Sequence, residues 1–163
     1  MTERRDGSTA GQQRGSPHDP AELPPRGRVL AIDVGDKRIG LALSDPTQTL
    51  AQPLATLTRR VGKRFPMGKL KQFIDTHRPV ALLLGLPLTP EGSEEERALA
   101  VRQVGALLLE KAELPIAYWD ERMSTARVHS AVRESGGTLG RKGDVDQLAA
   151  TVFLQTYLDS RRC

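Results

Sequence analysis

The chain has 163 residues, 38% of them hydrophobic and 27% charged, and its 24 Lys+Arg against 20 Asp+Glu give a net charge of +4. That length suits one ordinary domain with a real core and excludes two large lobes. No stretch reaches the ~18 uninterrupted apolar residues of a membrane span, and no apolar signal core opens the chain. The lone cysteine, Cys163, excludes an intrachain disulfide, so a reducing cytoplasm is the expected compartment.

Residues 1–27 are rich in Gly, Pro, Ser and charge without an apolar period, and read as a disordered tail. Arg4, Arg5, Arg14 and Arg26 balance Glu3, Asp6, Asp19 and Glu22 there. The positive excess therefore belongs to residues 28–163, which are compatible with a polyanionic partner.

Residues 28–34 and 38–44 read as strands joined by a tight turn at Gly35, Asp36 and Lys37, and residues 50–59 as a third, weaker strand. Phe65, Leu70, Phe73 and Ile74 give residues 63–77 a helical spacing that stops before Pro79. Residues 80–86 are a continuous apolar run, too short for an independent helix, and read as a strand buried on both faces. Ser93 and Glu96 have capping-box spacing, which predicts a helix from there to about residue 112. Residues 115–119 form another strand. Ser124 or Thr125 caps a helix ending near Gly136 and Gly137, and residues 144–159 form the last helix. This order predicts an α/β domain, an antiparallel meander followed by alternating units that add parallel strands.

The chemistry centres on Asp33, a single carboxylate in an apolar strand. Such a group is costly unless a cation compensates it or its pKa rises. Gly35 behind it allows close approach to the backbone, and Lys37 and Arg38 add positive charge, as phosphate handling requires. Further acids stand at element ends: Asp120 and Glu121 follow the last strand, and Asp144 and Asp146 open the last helix, where Asp146 shares a face with Ala149, Ala150, Phe153 and Tyr157. If the first and last strands are neighbours, these carboxylates converge. Oxygen ligands suit Mg²⁺ or Mn²⁺, and two such ions roughly 3.5–4 Å apart activate water and stabilise a leaving phosphodiester oxygen.

Each acid also has a structural reading. Asp33 could accept from turn N–H groups, Glu121 could pair with Arg122, and Asp144 or Asp146 could answer the helix dipole. His18, His77 and His129 show no metal-ligand spacing, and Glu94, Glu95 and Glu96 are explained by the capping box. Arg141 and Lys142, with Lys37, Arg38 and Arg122, are the cations expected beside the acids, to position a nucleic-acid backbone without reading sequence. With 4% aromatic residues, stacking on unpaired bases is not an evident mode.

Four segments in order, residues 32–40 (IDVGDKRIG), 85–92 (GLPLTPEG), 120–125 (DERMST) and 145–150 (VDQLAA), resemble the YqgF or RuvX family of ribonuclease H-like nucleases. The resemblance covers residues 28–159. It implies a ribonuclease H-like fold, with a mixed five-stranded sheet flanked by helices, and a metal-dependent endonuclease. The family roles it brings are four-way DNA junction resolution and maturation of the small-subunit rRNA precursor. Carried onto this chain, Asp33, Glu121 and Asp146 become catalytic residues and ligands of Mg²⁺ or Mn²⁺, with Asp120 and Asp144 as substitutes. Unlike the related junction resolvases, the strand ending at Leu86 offers no acid, which leaves the second ligand to Asp120 or Glu121.

Junction resolution implies a homodimer that presents two sites. A non-catalytic nucleic-acid-binding factor of ribosome assembly is the alternative. A phosphotransferase of the actin and sugar-kinase type would need a second lobe that this length does not supply.

Overall fold

The computed structural model describes residues 17–59, 65–123 and 142–162, with the backbone alone at 123 and 142–146. Five strands, β1 (Val29–Val34), β2 (Arg38–Ser44), β3 (Ala51–Thr58), β4 (Ala81–Leu86) and β5 (Ile116–Asp120), form one sheet in the order β3-β2-β1-β4-β5. The β1–β2 and β2–β3 pairs are antiparallel, whereas β4 runs parallel to β1 and β5 to β4. This is the meander-plus-parallel sheet expected from the element order.

Three helices complete the described residues: α1 (Met67–His77), α2 (Glu96–Lys111) and α3 (Lys142–Arg161). The period-two alternation of the strands divides the core between two faces. Leu30, Ile32, Leu82, Leu84 and Ile116 pack with Leu70 of α1 and Val101, Val104 and Leu108 of α2. On the other face, Ala31, Ala42, Ala81 and Ala117 are small, and α3 supplies the bulk with Phe153, Leu154, Tyr157 and Leu158. Small strand residues let a helix bearing large side chains come close.

Local details depart from the sequence reading. The capping box at Ser93 does not form: α2 starts at Glu96, and its N-cap Glu95 makes no side-chain capping bond. Ser93 instead donates its N–H to Thr89 Oγ1 at 3.0 Å, and the Glu94 carboxylate accepts two bonds from Arg102 at 2.6 and 2.8 Å. The Ser93 N–H that a box would pair with Glu96 is already taken by Thr89. Helix α1 starts at Met67 rather than 63, after Pro66 at its N-cap. The helix expected over 124–137 lies outside the described residues.

The tail expected over 1–27 is structured where it is described, and residues 1–16 lie outside the described residues. Residues 17–27 pack on the domain: His18 bridges Ala117 in parallel, residues 20–22 form a 3₁₀ turn, and Leu23 is 1% exposed. Leu23 is one apolar residue among Pro and charge, too little for any period to register, yet it fills a gap beside α3.

Candidate active site

Asp33 is the fifth residue of β1 and follows Val29 and Ala31 on the α3 face. It pairs with Gly40 of β2, and Ile32 pairs with Leu84 of β4, which brings Gly85 alongside Asp33 from the other side. Gly85 in turn pairs with Trp119 of β5. The positions flanking Asp33 on both neighbouring strands therefore carry no side chain, and Asp33 stands in a shallow trough across the sheet.

Glu121 opens a one-turn 3₁₀ helix, residues Glu121–Met123, directly after β5. Its side chain lies over Gly85. A β-carbon there would run into Glu121 Oε1 and come within 2.9 Å of Phe153 Cε2 and 3.0 Å of Glu121 Cγ. Across this bare backbone the Glu121 carboxyl shares a hydrogen bond with Asp33. Burial pushes the Glu121 carboxyl above the usual carboxylate range, while the Asp33 bond and the positive Arg97 pull it down and Asp120 pushes it up. Two carboxyl groups share a hydrogen bond only with a proton on one of them, and a cation between them serves the same end.

Asp120 points elsewhere. Its carboxylate accepts from the Arg122 backbone N–H at 2.9 Å, from Arg122 Nε at 3.0 Å and from Nη2 at 2.7 Å. Arg122 holds the Asp120 carboxyl below its ordinary value. The same guanidinium donates through Nη1 to the Pro90 carbonyl at 3.1 Å, fastening the loop between β4 and α2. Of the two acids at the end of β5, Glu121 meets Asp33 and Asp120 is engaged by Arg122.

Asp144 and Asp146 lie in the first two turns of α3, and their side chains are outside the described residues. The helix lies over β1, β2, β3 and β4 and touches the turn after β5. Asp146 precedes Phe153 by about two helical turns, which puts both on one side of α3. That side is the one that meets Gly85 through Phe153. Among the described residues no group of three His, Cys, Asp or Glu could hold a metal ion. Asp33 and Glu121 do fit a hard divalent cation, being two half-buried oxygen donors face to face whose negative charges need compensation.

The expected cations are dispersed. Lys37 is exposed in the β1–β2 hairpin, where its carbonyl accepts from the Arg59 N–H at 2.7 Å. Arg38 opens β2 opposite Thr58 and is half-buried. Arg141 lies outside the described residues, and Lys142 starts α3. Gly35 has a different task from the ligand approach expected of it. Its N–H donates to the Arg38 carbonyl at 3.0 Å, and a β-carbon would sit 2.6 Å from that oxygen, so the glycine closes the hairpin itself. Arg97, in the first turn of α2, was not legible as a site residue. Its positive charge reaches Glu121 because the connection between β4 and α2 sets the helix start near the turn after β5, and no local pattern encodes that.

This strand order, with helices on both faces and acids at the ends of β1 and β5, is the ribonuclease H-like fold of the resolvases. Its solved counterparts include a structure of T. thermophilus RuvC in complex with a Holliday junction substrate, at TM-score 0.55 and 18% identity, covering 83% of this chain and 96% of that one. The sequence profile of the RuvX family, described as Holliday junction resolvase, matches residues 27–160, and the chain belongs to that family. A relative from Koribacter versatilis, named "Putative pre-16S rRNA nuclease", is 37% identical over 136 residues, covering 83% of this chain and 88% of its own. One of the same name from Paramagnetospirillum magneticum is 40% identical over 135 residues, covering 82% and 86%. No helix among the described residues is long and apolar enough to cross a membrane.

Proposed function

We propose that this chain is a divalent-metal-dependent endonuclease that hydrolyses phosphodiester bonds in structured nucleic acid, with precursor 16S rRNA as its first substrate and a four-way DNA junction as the second to test. The meeting of Asp33 and Glu121 over Gly85 carries the proposal, because it assembles paired carboxyl groups at the end of a buried strand. The names of the relatives, at 37% and 40% identity over most of the chain, support the rRNA substrate.

In this reading Asp33, Glu121 and Asp146 hold Mg²⁺ or Mn²⁺, which supplies Lewis acidity to a phosphodiester oxygen and to water. Asp33 is fixed by β1, the central strand, and so forms the rigid side of the site. Glu121 sits on a single turn after β5. There burial raises the proton affinity of its carboxyl, and a bound cation would compensate its charge. Arg97 counters the negative charge of the pair, and with Lys37 and Arg38 it offers positive potential to the nucleic-acid backbone. A homodimer presents two such sites to a branched duplex.

The test incubates wild type and Asp33→Asn with precursor 16S rRNA, a four-way DNA junction and linear duplex, each with Mg²⁺ and with Mn²⁺. Wild type is expected to cut precursor rRNA and Asp33→Asn to bind it uncut. Binding without cleavage by wild type in either metal would replace the enzyme with a binding factor.

A further inference from the structure

Residues 17–26 precede the stretch that the family profile matches, yet they are tied into the domain at several points. The His18 N–H donates to the Ile116 carbonyl at 2.6 Å, adding a bridge outside β5. Leu23 is buried with Leu154, Tyr157 and Leu158 of α3. Tyr157 donates its hydroxyl to the Pro20 carbonyl at 3.2 Å, and Arg161 donates to the Leu23 carbonyl at 2.9 Å. Gln48 Nε2 donates to the Pro24 and Gly27 carbonyls at 2.8 and 3.0 Å. All these partners lie on β5, the β2–β3 connection or the C-terminal half of α3.

We infer that residues 17–27 are a positioning strap, which clamps the C-terminal half of α3 and so sets the rotation of that helix at its other end, where Asp146 stands. The inference deepens the proposed function, since it takes Asp146 as a ligand. The helix is also held by Gln155, whose Oε1 accepts from the Ala51 N–H at 2.8 Å and whose Nε2 donates to the Thr49 carbonyl at 3.0 Å. The apolar packing of Phe153, Leu154, Tyr157 and Leu158 seats the helix on the sheet, and these polar bonds add to what fixes its rotation. A 20-residue helix spans about 30 Å, so a small roll or tilt at Tyr157 and Arg161 carries to the first turns. Displacement of a reacting group by about 1 Å is enough to cost up to ~100-fold in rate.

The strap joins the core through Leu23 and is otherwise seated at separate points. A cavity of about 460 Å³ opens between Asp19, Pro20 and Ala21 on one side and Trp119, Tyr157 and Arg161 on the other. The indole N–H of Trp119 is buried without a hydrogen-bond acceptor among the described residues. Removing the anchors therefore frees the strap while leaving the sheet paired.

The test uses the full chain with Leu23→Ser and Arg161→Gln together, and with the conservative pair Leu23→Met and Arg161→Lys. Hydrogen exchange is followed at residues 142–152 of α3 and at β4, alongside kcat and KM for precursor rRNA with Mn²⁺. Anchor loss is expected to speed α3 exchange about tenfold or more with β4 unchanged, and to lower kcat about tenfold with KM within about twofold. The conservative pair restores both. Unchanged α3 protection while residues 18–24 exchange freely would overturn the strap, as would loosened α3 with undiminished kcat. Wild type that cleaves neither precursor rRNA nor the four-way junction would overturn the nuclease reading alone, because the exchange measurement still decides the strap.

Discussion

Glu121 reaches Asp33 across the bare backbone of Gly85, and the two carboxyl groups share a hydrogen bond at the end of the central strand. The contact depends on three elements at once: β1 supplies Asp33, the turn after β5 supplies Glu121, and β4 supplies the missing side chain between them.

Gly85→Ala should break that contact. The new methyl meets Glu121 on one side and stands 2.9 Å from Phe153 Cε2 on the other. Overpacking of this kind costs about 1–3 kcal/mol, and the displaced Glu121 should lower cleavage as well. Thermal unfolding and kcat check the two effects separately.

The two acids at the end of β5, Asp120 and Glu121, should separate under mutation. Asp33→Asn and Glu121→Gln should each reduce cleavage by more than the ~10–100-fold typical of outer-shell partners, with binding kept. Asp120→Asn breaks a partly exposed pair with Arg122, worth roughly 0–1 kcal/mol, and should stay within about tenfold of wild type. A dead Asp120→Asn beside an active Glu121→Gln would reverse the assignment.

Cations that face solvent should differ from cations already engaged. Lys37→Ala should weaken binding to all substrates alike and reduce the slope of log K against log salt by about 1. Arg122→Ala should leave that slope unchanged, because its guanidinium is held by Asp120 and the Pro90 carbonyl. Binding titrations across a salt series distinguish them.

Acid should weaken the β2–β3 connection. Asp45 accepts from the Thr49 and Leu50 N–H groups at 2.7 and 2.8 Å and from the Thr47 hydroxyl, which together hold its carboxyl far below the ordinary value. A depressed folded-state pKa stabilises the fold fully above the unfolded value of about 3.9, and that contribution is lost as pH falls through the folded value. Asp45→Ala should therefore lower Tm at pH 7, and its Tm should converge with that of wild type as the pH approaches the folded value. A constant gap at all pH values would show that the charge is not responsible.

Much of this architecture is written in local periodicity. The apolar runs marked β1, β2 and β4, and the alternation within β1 put Asp33 on the same face as Ala31, which α3 covers. The capping box at Ser93 does not form because the Ser93 N–H bonds Thr89 Oγ1 in the loop before α2, a contact outside the four-residue motif. The strap was missed because Leu23 is a single apolar residue whose partners, Leu154, Tyr157 and Leu158, come from the far end of the chain.

By itself the sequence determined the five strands, the three described helices and the family, since hydrophobic period and ordered motifs are properties of contiguous residues. Only the tertiary structure decided which acid meets Asp33. A turn after one strand and a glycine on its neighbour act together in space, and neither has meaning until the register of β4 against β1 and β5 is set.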